Sequence, residues 1–210
     1  MRDNTNWNLV LGSASPRRRE LLSLLGAPFS VAVSAITETS TERDPAAYVC
    51  DIASQKAAAI ELAGPALLLT ADTTVAMEGE FLNKPTDRQD AHRMLRLLAG
   101  RTHQVYTGVV VEVRGAGPAR WSFVARSDVT FVPWDEALFQ AYLDTPEPYD
   151  KAGAYGIQGR AAAFVARVDG CYNNVVGLPL AQLQHLLQTE FLQHIQGKGT
   201  WQSYFTSSSL

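Results

Sequence analysis

Cysteine is nearly missing from this chain: among 210 residues there are two, Cys50 and Cys171, far apart and without CxxC spacing. A disulfide framework and a cysteine-built zinc site are therefore not implied, and a reducing compartment fits best. Long apolar runs are missing too. No stretch approaches the roughly 20 apolar residues of a membrane span, and Met1-Arg2-Asp3-Asn4 leads into no apolar core of signal-peptide length. The expectation is a cytoplasmic protein with no membrane partner. Nor is there an excess of positive charge: 18 Lys and Arg stand against 21 Asp and Glu, for a net charge of −3. Without a general attraction for polyanions, nucleic acid is not an expected partner, and any anion must be met locally. Several catalytic patterns are absent as well. The four histidines (His92, His103, His185, His194) form no HExxH motif or tight cluster. No GxSxG elbow surrounds Ser15, since Ser13 and Arg17 stand where the glycines are needed, no GxxxxGK[ST] loop occurs, and Gly115 and Gly117 are followed by Arg120 where a dinucleotide fingerprint needs a third glycine.

What is present suits a folded α/β chain. Hydrophobic residues make up 46% and charged residues 19%, with 15 glycines and 10 prolines, enough for one core or for two lobes sharing a sheet. The apolar run Leu9-Val10-Leu11 is followed by Gly12-Ser13-Ala14-Ser15-Pro16 and leucines at 21, 22, 24 and 25 before Gly26. That order reads as strand, turn, helix and stop, with Ser15 as N-cap, Pro16 at the first helical position and Gly26 past the end. A strand is predicted near Phe29 to Val33. A helix is predicted from Asp44-Pro45 to about Leu62, with Val49, Ile52, Ala53, Lys56 and Ile60 on one stripe. The run 66–72 reads as a buried strand ending in Asp72, and Glu78-Gly79 as the turn of a hairpin. Helices over 87–99, 135–143 and 179–191, long strands near 103–114 and 121–132 around Gly115-Ala116-Gly117-Pro118, and a strand over 161–168 complete the pattern. Alternating elements followed by antiparallel hairpins argue for an α/β protein with a mixed sheet. Residues 196–210 read as a loosely ordered tail.

Three consecutive arginines, Arg17, Arg18 and Arg19, occupy the N-terminal turn of the first helix, where the macrodipole already disfavours cations. Free N–H groups, two hydroxyls (Ser13, Ser15) and guanidiniums together make a phosphate cradle; the alternative is a solvated basic turn partnered by Glu20. Asp72 closes an apolar strand, the place where ligands bind in open α/β sheets, although a strand-end aspartate also satisfies turns. Glu38 is a solvated loop acid taken alone. Paired with Asp72, it would hold Mg²⁺ or Mn²⁺ through oxygen ligands. Lys56, on an apolar stripe, either snorkels or meets an anion. Lys84 precedes Pro85 and so sits in an extended segment. In Lys151 through Gly159, glycine at every third position permits close approach to a ligand, and Gln158 brings both a donor and an acceptor; a flexible connecting loop is the alternative. Several cations, two acids and a glycine-rich loop suit phosphoanhydride or phosphoester chemistry.

Taken in order, Gly12-Ser13-Ala14-Ser15-Pro16-Arg17-Arg18, Ala71-Asp72-Thr73, Lys84-Pro85, His103 to Val109, Lys151 to Gly159 and Val176-Gly177-Leu178-Pro179-Leu180 resemble the Maf family of nucleoside triphosphate pyrophosphatases over roughly residues 8 to 190. Lys-Ala-Gly-Ala-Tyr-Gly-Ile-Gln-Gly is similar to the branch acting on dTTP and UTP rather than to the 7-methyl-GTP branch. The resemblance implies an elongated α/β/α fold around a twisted mixed sheet with a substrate cleft, as one domain over residues 1–195 and often a homodimer. It implies hydrolysis between the α and β phosphates with a divalent metal, in a house-cleaning role against unwanted or modified pyrimidine nucleotides. Asp72 would accept the proton of the attacking water or help hold the metal, with Glu38 near the metal. Ser13, Arg18, Lys56, Lys84 and Lys151 would meet the substrate, and Arg17, Thr73 and Gln158 stand at positions linked to substrate choice. The chain departs from the family pattern at Thr37, where another acid is common, and at Asn83, where a glycine commonly precedes Lys-Pro. Two other readings stay open: the same chemistry on a modified purine triphosphate, and a nucleotide-binding division regulator without turnover.

Overall fold

The computed structural model describes residues 7–115 and 117–205. Seven strands form one mixed sheet in the order β2 (Ser30–Val31), β1 (Asn8–Leu11), β3 (Ala66–Met77), β5 (Thr102–Arg114), β6 (Ala119–Phe131) and β7 (Val165–Asp169), with β4 (Glu80–Leu82) paired to β3. β1 runs parallel to β2 and β3, and all other pairs are antiparallel. The α/β class with a mixed sheet therefore holds.

Helix α1 (Pro16–Ser23) begins as its sequence dictates: Ser15 takes the N-cap and accepts the Arg18 N–H, and Gly26 adopts φ +76° beyond its end. Helix α2 (Pro45–Ala58) is capped by Asp44 and lies on one sheet face, burying Ala53 and Ala57 with Ile60 against Val10, Leu68 and Val110. The opposite face carries the larger core, a cluster that holds Leu67 and Leu69 together with the buried residues of α3 (Arg88–Leu98), α4 (Glu136–Leu143) and α6 (Leu180–Leu186). Coverage of both faces explains why Leu67-Leu68-Leu69 is continuously apolar rather than alternating. A short helix, α5 (Tyr172–Val176), packs on β5 and β6. No helix among the described residues is long and apolar enough to cross a membrane.

Four expectations change. Asp72 does not end its strand: β3 continues to Met77, because Val75-Ala76-Met77 keep pairing with β5 on one side and with β4 on the other. Helix α2 stops at Ala58, not Leu62, and Gly64 at φ +76° helps turn the chain into β3. Residues Arg160–Phe164 form a tight helical turn instead of the start of a strand, since the alanine run lacks the β-branched side chains that favour pleating, and Phe164 stacks on Phe139 at 4.1 Å. The segment after Gly197 is not loose as far as residue 205: Trp201 is fully buried, and Trp7 pairs with Phe205. Ala116 and residues 206–210 of the expected turn and tail lie outside the described residues.

One feature of the sheet positions everything else. On the edge away from β5, β1 pairs with Ala66 to Leu69 and β4 with Val75 to Met77. Among the described residues, no strand pairs with Thr70 to Thr74 on that side.

Candidate active site

A cleft of about 620 Å³ opens at this gap in the edge of β3. Adjacent strand residues point to opposite faces, so Asp72 and Thr73 project to the two sides of the sheet within one cavity. Every residue expected at the site lines it: Ser13, Arg17, Arg18, Glu38, Lys56, Asp72, Thr73, Lys84, Lys151 and Gln158.

On the α2 side, Lys56 Nζ lies 2.7 Å from Asp72 Oδ1 and 3.1 Å from Glu38 Oε1. Lys56 and Asp72 are each 9% exposed, so the apolar stripe carried Lys56 inward to a carboxylate and not outward to water. On the other side stands the start of α1. Gly12 passes so close to the sheet that a Cβ there would lie 2.5 Å from Thr70 Cγ2, which requires glycine. Arg18 is buried and donates from Nε to the Gly177 carbonyl at 2.8 Å, from Nη1 to Ser13 Oγ at 3.3 Å and from Nη2 to Thr73 Oγ1 at 2.9 Å. Burial pushes its pKa down, with Asp72 opposing. Arg18 thus joins α1, β3 and the end of α5. Arg17 remains partly exposed at the lip, 3.8 Å from Asp150 Oδ2, while Arg19 is solvent-exposed.

The glycine-rich segment behaves differently from its sequence reading. Gly153, at φ +68°, is crowded by Val75; a Cβ at Gly156 would meet the Lys151 stem at 2.7 Å, and one at Gly159 the Glu147 carboxylate at 2.2 Å. The close approaches that these glycines permit are made within the chain. They hold Gln158, exposed, at the cleft mouth. Lys151 Nζ donates to the Glu147 carbonyl at 2.7 Å and pairs with Asp150 at 2.5 Å. Behind the loop, buried Tyr155 bonds His103 Nε2 through its hydroxyl at 2.9 Å. Burial holds His103 down at about 3, so its imidazole is neutral at physiological pH and a weak proton acceptor.

Sequence reasoning missed Tyr48, Asn83 and Asp150, which also line the cleft. Tyr48 lies on the side of α2 that carries Ile52 and Lys56, a spacing of four that was available as a signal. Asn83 accepts from Thr74 Oγ1 at 3.1 Å, donates to Tyr48 at 3.4 Å, and receives the Gly153 N–H on its carbonyl at 3.3 Å. The residue that departs from the family pattern therefore braces the segment bearing Lys84.

Among the described residues no group of three or more His, Cys, Asp or Glu could hold a metal. Glu38 and Asp72 nevertheless converge on one cationic atom with oxygen donors. That fits an ion such as Mg²⁺, which takes one or two carboxylates and completes its shell with water and substrate phosphates.

A mixed sheet opened at one edge, with a carboxylate pair on one wall and a guanidinium-bearing helix start on the other, defines an α/β protein built to receive a polyanion. The family model described as "Maf-like protein" matches residues 8–190, and the chain belongs to that family. It is 52% identical to a dTTP/UTP pyrophosphatase of Moorella thermoacetica, covering 85% of this chain and 93% of the relative. Proteins of the same description from Symbiobacterium thermophilum (49% identity, covering 87% and 93%) and Bacillus velezensis (45%, covering 86% and 95%) are also similar.

Proposed function

We propose that the protein hydrolyses dTTP and UTP between the α and β phosphates, giving the nucleoside monophosphate and pyrophosphate. The observation that carries this reading is the convergence, in one cleft, of the Lys56–Asp72–Glu38 cluster with the Ser13, Arg17 and Arg18 helix start. The names of the relatives supply the substrate class.

In this reading the cleft divides the substrate. Ser13, Arg17, Lys84 and Lys151 hold phosphate oxygens, and the positive end of α1 adds its field there. Arg18 anchors the helix start and Thr73, and so keeps the phosphate wall fixed. Asp72 accepts the proton of the attacking water, and Lys56 orients that carboxylate through the 2.7 Å bond. Glu38 and Asp72 would hold the divalent metal, which when bound neutralises phosphate charge and lowers the pKa of water. Val75, Val105, Tyr155 and Ile157 form apolar wall for the base, with Thr73 and Gln158 as its polar contacts. The thiols Cys50 and Cys171 are free, which supports a cytoplasmic site of action; the homodimer rests on the family resemblance, and sedimentation tests it.

Purified protein should release pyrophosphate from a panel of triphosphates with Mn²⁺ or Mg²⁺, fastest with dTTP and UTP. Faster turnover of 7-methyl-GTP would move the substrate to the purine branch. Release of inorganic phosphate instead of pyrophosphate would overturn the reaction assigned here.

A further inference from the structure

The hydroxyl of Thr73 is one end of a hydrogen-bonded series whose proton positions can be assigned from the partners alone. Thr107 stands opposite Thr73 in the β3–β5 register. Its Oγ1 lies 3.0 Å from the backbone carbonyl of Asn174, which only accepts, so the single Thr107 proton is committed to that carbonyl. Thr107 Oγ1 also lies 2.9 Å from Thr73 Oγ1. With its own proton spent, Thr107 accepts there, and Thr73 donates. Thr73 Oγ1 further receives Arg18 Nη2 at 2.9 Å. A hydroxyl has one proton and two lone pairs; Thr73 therefore keeps one lone pair and no proton for the cleft. The series is well sheltered, since Thr107 is fully buried and Arg18 nearly so.

Thr73 lines the same cleft as the apolar side chains Val75, Val105 and Tyr155, which the reading above gives to the base. Uracil and thymine carry a donor at N3, whereas cytosine carries an acceptor there. We propose that Thr107 is a positioning residue for base selection: by fixing the Thr73 hydroxyl as an acceptor, it lets the cleft accept the imide N3–H of uracil and thymine and reject cytosine. The inference rests on the pyrimidine triphosphatase reading and adds the polarity that reading lacks. Thr107 lines no part of the cleft and acts through Thr73, so its effect is on choice between bases and not on the chemical step.

The test is the ratio of kcat/KM for UTP over CTP in the wild type, Thr107→Val and Thr107→Ser. Valine keeps the shape and removes the hydroxyl, which frees the Thr73 proton to turn into the cleft and meet cytosine N3. The ratio should fall by about tenfold or more, the order expected for one hydrogen bond of corrected polarity. Serine restores the relay and should keep the ratio within about twofold. An unchanged ratio in Thr107→Val, or equal losses with both substrates, overturns the inference while leaving the reaction assignment intact. If the wild type releases no pyrophosphate from UTP, the reaction assignment itself fails. Should Thr107→Val not fold, the wild type decides alone: N3-methyluridine triphosphate, which lacks the donor, should turn over at least about tenfold more slowly than UTP, and equal turnover overturns the inference.

Discussion

Lys56 Nζ sits 2.7 Å from Asp72 Oδ1, and the same ammonium reaches Glu38 Oε1 at 3.1 Å. One lysine therefore balances two carboxylates at the mouth of a gap in the sheet. Asp72 and Lys56 are nearly buried while half of the Glu38 side chain is exposed, so the pair is the fixed element and Glu38 the adjustable one. A polyphosphate entering with a cation would compete for Lys56 and release carboxylate oxygens at once.

Asp72→Asn should lower pyrophosphate release by about 10²–10⁴-fold while a non-hydrolysable triphosphate still binds, because the amide keeps the shape and loses the proton acceptor. Calorimetric binding beside turnover separates the two effects. Lys56→Met leaves two facing carboxylates without their cation and should cost about 2 kcal/mol of stability as well as activity. Full stability in that variant would show that water compensates the pair.

Chelation of divalent ions should stop turnover, and Mn²⁺ or Mg²⁺ should restore it. Glu38→Gln should raise the metal concentration for half-maximal rate, since a hard cation loses a charged oxygen ligand. An unchanged metal requirement in Glu38→Gln would remove Glu38 from the metal site.

Gly108 pairs in register with Asp72, and a Cβ on it would lie 2.6 Å from the backbone carbonyl carbon of Val49. Backbone cannot yield as a side-chain tip can. Gly108→Ala should therefore push α2 away from the sheet, destabilise by about 1–3 kcal/mol or more, and reduce turnover, because α2 carries Tyr48 and Lys56. Urea denaturation and a pyrophosphate assay on the same preparation check both.

Local chemistry was legible in the sequence wherever one segment decides the outcome. Ser15, Pro16 and Gly26 fixed the first helix, and Glu78-Gly79 turns a hairpin with positive φ at both residues. The charged residues of the cleft such as Arg18, Lys56 and Asp72 were legible because charges are unexpected where they stand, whereas Tyr48, Asn83 and Asp150 carried no such signal on their own. The end of β3 was not, since only pairing with β5 and β4 carries the strand past Asp72. Nor was the work of Arg18, whose partners Thr73 and Gly177 are far away in the chain. The Thr107 to Asn174 bond joins a side chain to a distant backbone carbonyl, and no residue pattern encodes that.

His103 makes stability depend on acid. Its pKa is held down at about 3 against an ordinary value of 6.5, with burial as the cause and Asp128 opposing. Between those values the unfolded chain binds a proton that the folded chain refuses. Stability from this group is therefore present above about pH 6.5 and is lost as pH falls toward 3. From pH 7 to pH 5 the loss should be about 2 kcal/mol. His103→Asn should lose stability less steeply over that interval, whatever its stability at pH 7. Equal slopes in denaturant titrations of the two proteins would remove His103 as the cause.

The segment beyond Gly197 should prove structural. Trp201 is fully buried, donates from Nε1 to Gln184 Oε1 at 2.8 Å, and meets Phe205 edge-on at 5.8 Å. Phe205 in turn stacks on Phe191, which also receives the edge of Trp7 at 5.7 Å. These rings close the core beneath α6, away from the cleft. Trp201→Ala should cost about 3–5 kcal/mol, and at roughly 2–4 °C per kcal/mol for a chain of this size the melting temperature should fall by about 10 °C. Turnover measured well below that temperature should change little, since no ring of this cluster lines the cleft. Truncation after residue 196 should destabilise at least as much as Trp201→Ala, because it removes Phe205 as well. A truncated protein that melts with the full chain would show that the aromatic cluster adds nothing to the core it covers.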